Sequence, residues 1–348
     1  MNDYSNPLVS ICIPSLNTRP FLEERKASIL EQSLQDFEIV IVDDGSTDGS
    51  WDFFESWAST DSRVSLFLGP QQGLYPGWND AIRRSRGKYI YIATSDDTMC
   101  PNLLQNMVEA LENNPDCGIA HCQLKVFSEN APQEDQSWWS TASPFAYSLK
   151  GNINLSHKRM APGDGFLHGC GTSVYVSTTQ LLTRREVFDK VGYFTDRWGS
   201  IGDFDWAIRA GLDTNVIHVP STWGGWRIHQ GQATATANMS KSSQTVKNRM
   251  VFLKLIEEYL QKDTNKLAEN CKLLEKINRS WKYVERRSEF KKAVGERYWA
   301  KSIAICFRHP HILLSALAGK IDIQSRWHSE NEKIVIDCLL KNLSWIKT

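Results

Sequence analysis

The sequence predicts an α/β protein with a mostly parallel sheet flanked by helices. Short apolar runs rich in β-branched residues alternate with helix-like segments over residues 8–219, which is typical of βαβ units. Two of these runs end in paired acids, Asp43-Asp44 and Asp96-Asp97. The carboxyl ends of parallel strands meet at one edge of the sheet, and ligands bind at that edge. From residue 240 onward the chain becomes basic and helix-like, which indicates a separate module.

The first part of the alternating region contains four strand–helix steps. Strands are predicted at residues 8–14, 37–42, 64–68 and 89–94, and helices at residues 21–35, 50–59, 77–85 and 102–113. The strands are short apolar or β-branched runs, whereas the helices space their apolar residues at helical periodicity. The run at 89–94 carries no charge, as expected of a strand covered on both faces.

The second part of the region is less regular. Strands are predicted at residues 117–127, 178–182 and 216–219, and helices at residues 184–191 and 203–210. Between them, residues 128–171 are polar and aromatic without clear periodicity. A stretch of this length inside a compact fold is more often a functional loop system than a linker. A disordered insertion is the alternative.

Composition and charge exclude several classes of protein. Hydrophobic residues make up 41% of the 348 residues, enough for a sizeable core. The 40 Lys and Arg balance the 40 Asp and Glu, which argues against a nucleic-acid binder of uniformly basic character. The eight cysteines lack Cys-x-x-Cys spacing and predict the reduced thiols of a cytoplasmic protein. We also expect no signal peptide and no membrane span, because no uncharged apolar run approaches about 18 residues.

Residues 239–348 are predicted to form a helical C-terminal module behind a first domain at residues 1–238. Apolar residues keep helical spacing at Val246, Met250, Leu253, Ile256 and Leu260. From residue 240 onward 22 Lys and Arg stand against 12 Asp and Glu, a net charge of +10, and the residues before carry −10. Its helices are candidates for peripheral contact with an anionic membrane surface or for a homodimer contact. For the apolar and basic segment at residues 299–318, an interfacial membrane helix is one interpretation, and a core-facing amphipathic helix pair is the plainer one.

The acid pair Asp96-Asp97 follows the uncharged strand directly. Two adjacent carboxylates at the mouth of a sheet repel each other, and a hard divalent cation is the usual reason to keep both ionised. Mg²⁺ or Mn²⁺ holding a diphosphate is the natural interpretation. The alternative is that Asp96, Asp97 and Thr98 only turn the chain or cap the next helix.

Six short segments carry a resemblance to a known family. They are Val9-Ser10-Ile11-Cys12-Ile13-Pro14-Ser15-Leu16-Asn17, Ile41-Val42-Asp43-Asp44-Gly45-Ser46-Thr47-Asp48, Gly87-Lys88-Tyr89-Ile90, Ser95-Asp96-Asp97, Ile201-Gly202-Asp203 and Arg227-Ile228-His229. In this order and spacing they resemble the family-2 glycosyltransferases, inverting enzymes of the GT-A fold that use nucleoside-diphosphate sugars. The resemblance implies a GT-A domain, with a Rossmann-like sheet flanked by helices, for residues 1–238.

The resemblance implies that Asp44 binds the base and ribose of the nucleotide. A carboxylate suits this task because it accepts hydrogen bonds from a base N–H or a ribose hydroxyl. An Asx turn in Asp43-Asp44-Gly45-Ser46 is expected at the same place. Four further candidates for contact with the nucleotide are Pro14, Asn17, Asn79 and Arg86. For the last two, a solvated or helix-capping role is the alternative.

The resemblance places the metal on Asp97, the last acid of a DXD-type motif, with Asp96 toward the sugar or ribose. Ser95 occupies the first position of that motif, and one carboxylate with diphosphate oxygens and water can complete an octahedral shell. His229 matches a position that supplies an imidazole ligand or a phosphate contact, although a structural histidine is the alternative. The donors expected in the family carry UDP, dTDP or GDP.

Asp203 matches the catalytic carboxylate of the family, which acts as the general base and takes the proton from the acceptor hydroxyl. Many members have Glu-Asp at this place, whereas this chain has Gly202-Asp203, similar to an Ile-Gly-Asp string in the spore-coat polysaccharide member. Asp205 is the competing candidate, and a helix N-cap is the structural alternative for either acid. Trp198 and Trp226 are candidates for stacking on the acceptor sugar.

The resemblance implies a metal-dependent inverting transferase that acts on a glycan or lipid-linked glycan in surface polysaccharide synthesis, in the cytoplasm or at the inner face of the membrane. A nucleotidyltransferase is a weaker alternative, because Pro14-Ser15-Leu16-Asn17 is not a Gly-rich, basic loop. A degenerate sugar-binding or scaffold protein on the same fold is the non-enzyme alternative. Such degeneration is expected to remove Asp44, Asp97 or Asp203, and all three are present.

Overall fold

A computed structural model describes residues 6–128, 154–168, 174–232, 248, 250–256, 258–259 and 346–347. The strands are β1 (Val9–Ser15), β2 (Phe37–Asp43), β3 (Val64–Leu68), β4 (Tyr89–Ile92), β5 (Thr98–Met99), β6 (Cys117–Ser128), β7 (His157–Arg159), β8 (Leu181–Arg184), β9 (Asn215–Ile228) and β10 (Ile346–Lys347). The α-helices are α1 (Leu22–Leu30), α2 (Ser50–Thr60), α3 (Leu74–Arg84), α4 (Leu103–Glu112), α5 (Gly163–His168), α6 (Arg185–Val191) and α7 (Gly202–Asp213). Short 3-10 turns lie at Arg19–Phe21 and Thr178–Gln180.

The strands described in this chain form one sheet in the order β10-β7-β9-β6-β8-β4-β1-β2-β3, and β5 pairs with β9. The strands β4, β1, β2 and β3 are parallel, as predicted. Strand β8 joins antiparallel between β4 and β6, and β6 pairs in parallel with β9. Consequently the carboxyl ends of β1, β2 and β4, with the loops that follow them, lie at one edge of the sheet. The carboxyl end of β9 lies at the same edge.

Helices cover both faces of β1, β2 and β4, which are buried along their whole length. On β1, the residues at 9, 11 and 13 belong to the large apolar core that also contains Leu22 and Ile29 of α1, Phe54 and Trp57 of α2, and Leu103 and Met107 of α4. On the opposite face, α3 packs against β1 and β2. Since alternate strand residues point to opposite faces, burial on both faces explains why these strands are continuous apolar runs.

Two elements differ from the sequence prediction in ways that affect the site. Helix α3 begins at Leu74 rather than at Gly77, and Gly73 before it has a φ of 102°. The sequence places Pro76 inside this start, where a missing backbone N–H is tolerated in the first turn. The predicted strand at 216–219 continues to Ile228 as β9, with irregular pairing to β6 at Cys122 and Gln123.

Most of residues 128–171 and nearly all of the predicted C-terminal module lie outside the described residues. Within the first of these ranges, His157–Arg159 forms β7 and Gly163–His168 forms α5, which the sequence did not predict. The chain divides into two compact units, residues 1–165 with 173–237 and 344–348, and residues 166–172 with 238–343. The domain boundary at residue 238 stays a prediction. Among the helices that the structure describes, none has the length and apolarity to cross a membrane.

Candidate active site

A pocket of about 460 Å³ lies at the carboxyl edge of β1, β2 and β4. Its wall is formed by the loop after β1, by Asp44 after β2, by the first turn of α3, by the turn after β4 and by the chain after β9. The lining residues used below are Pro14, Leu16, Asn17, Phe21, Asp44, Gly73, Leu74, Trp78, Ser95, Asp96, His229 and Gln232. The pocket therefore collects residues from five separate parts of the chain.

The acid pair after β2 splits between the fold and the pocket. Asp43 is fully buried, and its carboxylate accepts hydrogen bonds from the N–H groups of Gly45 (3.1 Å) and Ser46 (2.8 Å) and from the Ser46 hydroxyl (2.7 Å). This is the expected Asx turn. Asp44 is half-buried, lines the pocket and accepts a hydrogen bond from the Gln71 N–H at 2.6 Å. Asp44 is therefore the acid of the pair that faces the pocket.

The loops after β1 and β2 are joined through Asn17. Its side-chain oxygen accepts a hydrogen bond from the Thr47 N–H at 2.8 Å, and its own N–H donates to the Ser46 hydroxyl at 2.7 Å. Asn17 has a φ of 53°, in the left-handed region that asparagine tolerates better than most residues. Pro14 and Asn17 both line the pocket.

In the turn after β4, Asp96 faces the pocket. Its Oδ2 atom lies 3.0 Å from Nε2 of His229, and the His229 ring packs on Phe21 with ring centroids 4.5 Å apart. Ser95, Asp96 and His229 all line the pocket. Thus two predicted candidates, from segments 133 residues apart, meet on one wall.

Asp97 is turned into the protein and is only 3% exposed. Its carboxylate accepts hydrogen bonds from the Thr94 hydroxyl at 2.5 Å and from the Arg227 N–H at 2.9 Å. Burial and the neighbouring Asp96 carboxylate raise the pKa of Asp97 to about 7. The resemblance places the metal on Asp97 and Asp96 toward the sugar or ribose, and in the structure Asp96 is the acid beside His229.

Arg227 fixes the end of β9 against the acidic turn. The Arg227 N–H donates to the Asp97 carboxylate, and the Nε atom of its guanidinium donates to the backbone oxygen of Asp96 at 2.9 Å. The Nη2 atom of the same guanidinium donates to the Glu24 carboxylate at 2.5 Å. The guanidinium also lies over the Phe21 and Phe127 rings. Arg227 therefore holds His229, two residues further on, at the pocket wall.

The donor atoms of Asp96 and His229 suit a divalent cation. Among the described residues, no three His, Cys, Asp or Glu side chains are placed together as a metal cage. A carboxylate oxygen and an imidazole nitrogen 3.0 Å apart can nevertheless supply two ligands to Mn²⁺ or Mg²⁺. Diphosphate oxygens and water would provide the others, so the residues fit a cation that arrives with a nucleotide.

Asp203 lies in the first turn of α7 and is exposed to solvent. Its Oδ1 atom accepts hydrogen bonds from the Tyr75 hydroxyl at 3.0 Å and from the Phe204 N–H at 2.9 Å. Although water reaches the carboxylate, the protein surrounds it on most sides, and this desolvation raises the pKa of Asp203 against the opposing effect of both hydrogen bonds. Such a carboxylate is both accessible and more basic than an ordinary aspartate.

Two predicted nucleotide contacts are outside the pocket. Arg86 lies before the amino end of β4, at the opposite edge of the sheet, where its guanidinium pairs with Glu38 at 3.0 Å. Asn79 is buried in α3, and its amide exchanges two hydrogen bonds with the backbone of Phe194, at 2.9 and 3.0 Å. Neither residue is therefore placed for direct contact with a ligand in this pocket.

Asp205, the competing candidate for the catalytic base, does not line the pocket, and neither do the candidate acceptor residues Trp198 and Trp226. Asp205 is fully buried and accepts hydrogen bonds from Arg197 (3.0 Å), Arg209 (2.7 Å) and the Trp198 indole N–H (2.8 Å). A carboxylate that is saturated in this way has no oxygen free for an acceptor, so Asp205 is a structural acid. Trp226 is half-buried on β9.

Sequence reasoning missed the aromatic and glycine residues that complete the site. The wall also contains Phe21, Gly73, Leu74, Trp78 and Gln232. Tyr75 lies between two of these residues and reaches Asp203 across 128 positions of sequence. The Gly-Leu-Tyr-Pro-Gly string was a usable signal, since a glycine before a helix start often allows close approach of a ligand. The partner of Tyr75 had no signal in the sequence.

The fold defines an α/β domain of the GT-A class, with a pocket at the carboxyl ends of its parallel strands, where ligands bind in open α/β sheets. The sequence model of the family described as "Glycosyl transferase family 2" matches residues 10–192, more than half of the chain. The chain therefore belongs to glycosyl transferase family 2, and the predicted family and fold are confirmed.

Several curated proteins are similar in sequence. "Uncharacterized glycosyltransferase EpsJ" of Bacillus subtilis is 38% identical over 190 residues, which cover 55% of this chain and 52% of that protein. "Putative teichuronic acid biosynthesis glycosyltransferase TuaG" of Bacillus subtilis is 36% identical over 104 residues, or 30% of this chain and 41% of that protein. The match to these two relatives thus spans about half of their length or less.

Solved structures agree on the fold. S. aureus TarS 1-349 in complex with UDP-GlcNAc superposes with a TM-score of 0.52 at 14% identity, covering 70% of this chain and 65% of that one. The mannosyltransferase PcManGT from Pyrobaculum calidifontis, in complex with GDP-Man and Mn²⁺, gives a TM-score of 0.52 at 17% identity, covering 97% and 88%. At these identities the likeness establishes the GT-A fold alone.

Proposed function

We propose that the protein is a metal-dependent inverting glycosyltransferase that moves a sugar from a nucleoside-diphosphate sugar to a hydroxyl of an acceptor glycan. The observation that carries this proposal is the convergence of Asp96 and His229, 3.0 Å apart, on the wall of a pocket that also contains Asp44. The same pocket then offers the Asp44 carboxylate to the nucleoside, and Asp96 and His229 as two ligands to a cation. Two superposed structures hold UDP-GlcNAc and GDP-Man, which supports a nucleotide-sugar donor.

The nucleoside is proposed to bind at Asp44. This carboxylate accepts hydrogen bonds from a ribose hydroxyl or a base N–H, while Asp43 and Asn17 hold the loop around it. Trp78 and Leu16 provide apolar lining in the same pocket. These contacts suit UDP, dTDP and GDP alike, and the test below separates them.

Asp96 and His229 are proposed to hold Mn²⁺ or Mg²⁺ together with the diphosphate. When bound, the cation neutralises charge on the leaving nucleoside diphosphate. Asp97 is proposed to hold His229 in position. Its carboxylate accepts a hydrogen bond from the Arg227 N–H and so fixes the segment that carries His229.

Asp203 is proposed as the general base. It takes the proton from the acceptor hydroxyl as that oxygen forms a bond to C1 of the sugar. The bond from C1 to the diphosphate oxygen breaks on the opposite face, and the nucleoside diphosphate leaves with that electron pair. The products are a glycoside of inverted configuration and a nucleoside diphosphate, and the proton on Asp203 returns to water.

The acceptor is proposed to be a growing surface glycan, free or attached to a lipid carrier. Similarity to a protein named for teichuronic acid biosynthesis supports this class. The basic C-terminal segment, with a net charge of +10, supports contact with an anionic membrane at the inner face. A cytoplasmic location and a homodimer through the same segment belong to this proposal.

A thermal-shift screen tests the donor site. UDP, dTDP, GDP and CMP are added with and without Mn²⁺ to the wild type, Asp96→Ala and Asp97→Asn. A ligand at about a hundredfold its dissociation constant adds about 2.7 kcal/mol of stability. We expect one nucleoside diphosphate to stabilise the wild type only with Mn²⁺, and Asp96→Ala to lose this dependence.

The two variants separate the two metal assignments. If Asp97→Asn loses the Mn²⁺ dependence while Asp96→Ala keeps it, the cation lies on Asp97, as the family resemblance implies. Stabilisation by no nucleotide at all would favour the degenerate sugar-binding or scaffold protein. Arg86→Ala is the matched control, because its side chain lies at the opposite edge of the sheet and pairs with Glu38.

A further inference from the structure

The hydroxyl of Tyr75 occupies one oxygen of the candidate base. It donates to Oδ1 of Asp203 at 3.0 Å, and the Phe204 N–H donates to the same oxygen at 2.9 Å. No hydrogen bond to Oδ2 of Asp203 is found within the described part of the chain. Because Oδ1 is held twice while water reaches the side chain, the carboxylate has a fixed orientation with one oxygen available.

Tyr75 also belongs to the turn that lines the donor pocket. Its neighbours in the first turns of α3, Leu74 and Trp78, are pocket residues. The Tyr75 ring is 4% exposed, packs edge-on against Trp78 at 5.6 Å and stacks on Phe194 at 6.1 Å with an interplanar angle of 14°. One rigid aromatic group thus contacts both the donor wall and the segment that leads into α7.

The segment before α7 is held to α3 by a second device. The amide of Asn79, one turn after Tyr75, exchanges two hydrogen bonds with the backbone of Phe194. Phe194 in turn packs against Trp78 at 5.2 Å. The distance between the donor wall and Asp203 is therefore determined by α3, whatever the acceptor is.

Gly202 is the residue that lets Tyr75 come this close. A Cβ atom at position 202 would lie 2.7 Å from Cε2 of Tyr75 and 2.0 Å from the backbone oxygen of Thr195. A side chain at this position therefore cannot coexist with the observed ring. Gly202 and the Tyr75 ring are therefore two parts of one arrangement.

We propose that Tyr75 is a positioning residue that orients and tunes the general base Asp203 and couples it to the donor pocket. This inference rests on the proposed function, in which Asp203 accepts the proton. The Tyr75 hydroxyl stabilises the ionised form of Asp203, so the base is charged over a wider range of pH than burial alone would allow. Asp205, the nearest acid along the helix, is bound by Arg197 and Arg209 and does not compete for this hydroxyl.

The first test measures Asp203 directly and needs no donor. Aspartate carboxyl carbons are labelled with ¹³C, and the Asp203 resonance is assigned as the one absent from Asp203→Asn. In Tyr75→Phe, which keeps the ring and loses the hydroxyl, we expect the pKa of Asp203 to rise by about one unit. An unchanged Asp203 titration would overturn the inference.

The second test follows activity. UDP-GlcNAc and GDP-mannose serve as donors with Mn²⁺, water serves as acceptor, and release of the nucleoside diphosphate is measured against pH. For Tyr75→Phe we expect the KM for the donor to be unchanged and the acidic limb of the kcat–pH profile to move upward by about one pH unit. At pH values below this limb, kcat should be about tenfold lower than in the wild type. At higher pH, kcat should return to the wild-type value. A uniform loss at every pH would mean a merely structural role.

Controls separate this inference from the proposed function. Tyr89→Phe removes another tyrosine hydroxyl that donates to a carboxylate, that of Glu112 at 2.8 Å, and should leave the Asp203 titration and the pH profile unchanged. If Asp203→Asn keeps full activity, the base assignment in the proposed function fails. If Asp203→Asn is inactive but Tyr75→Phe behaves like the wild type, only the present inference fails.

Discussion

At the scale of residues, each acid pair at the sheet edge divides its tasks between a buried carboxylate and one that faces the pocket. Asp43 is fully buried and closes its own loop, whereas Asp44 lines the pocket. Asp97 is 3% exposed and fixes Arg227, whereas Asp96 lines the pocket beside His229. The buried acid comes first in one pair and second in the other, so order in the sequence does not identify the binding acid.

This division predicts opposite phenotypes for the two acids after β2. Asp43→Ala leaves two backbone N–H groups and the Ser46 hydroxyl without their acceptor, so we expect a loss of about 3 kcal/mol in the free energy of unfolding. Asp44→Ala should change stability by less than about 1 kcal/mol and weaken nucleotide affinity about tenfold or more. Urea unfolding and nucleotide titration of both variants measure this, and equal stability losses would contradict it.

At the scale of elements, the sequence predicted the parallel strands well because each is a short, mostly apolar run between helical segments. The predicted start of helix α3 is three residues later than the observed start at Leu74. The reason is that Pro76 is typical of a helix breaker, although this proline lies in the first turn of the helix. The strand predicted at residues 216–219 ends well before Ile228, the last residue of β9, because the Gly224-Gly225 pair in this strand is typical of a turn. There, Cβ atoms would meet Thr179 and Thr98, and such close approach between distant segments leaves no periodic signal.

The junction between α3 and α7 predicts opposite effects for two glycine substitutions. Gly202→Ala forces a Cβ within 2.0 Å of the Thr195 backbone oxygen, so we expect a loss of about 1–3 kcal/mol in the free energy of unfolding. Gly77→Ala is the matched control, since its Cβ meets nothing within 4 Å inside α3. It should stabilise the protein by about 0.5–1 kcal/mol. Urea unfolding of both variants measures the two effects, and an unchanged Gly202→Ala variant would contradict the packing of Tyr75.

At the scale of the whole molecule, the sheet has a ligand edge on its parallel side and a buried polar cluster on the other side. Strands β6, β7 and β9 bring His121, His157 and His218 together with Arg159, which pairs with Asp164 at 2.7 Å. The sequence predicted the ligand edge, since acids follow the strands directly. It did not predict this cluster, because its members come from strands whose pairing depends on tertiary structure.

The cluster predicts how the stability of the whole fold depends on pH. His157 is 3% exposed, its Nδ1 lies 2.8 Å from the Leu155 backbone oxygen, and its Nε2 lies 3.2 Å from a guanidinium nitrogen of Arg159. Burial, with the charge of Arg159 as the second cause, lowers the pKa of His157 from 6.5 to about 4. Between these two values the unfolded chain binds a proton at His157 that the folded chain does not bind. The contribution of His157 to the free energy of unfolding is therefore complete above pH 6.5 and is lost as the pH falls toward 4.

Between about pH 7.5 and about pH 5, this difference in pKa should remove about 2 kcal/mol from the free energy of unfolding. His157→Gln keeps an amide that can donate to Leu155 and accept from Arg159 but cannot titrate, so its stability should fall by about 2 kcal/mol less over the same interval. Urea unfolding of both proteins at matched ionic strength measures the difference. Parallel pH curves would mean that His157 is protonated in the fold, and that Arg159 is neutralised by Asp164 strongly enough to tolerate a second cation beside it.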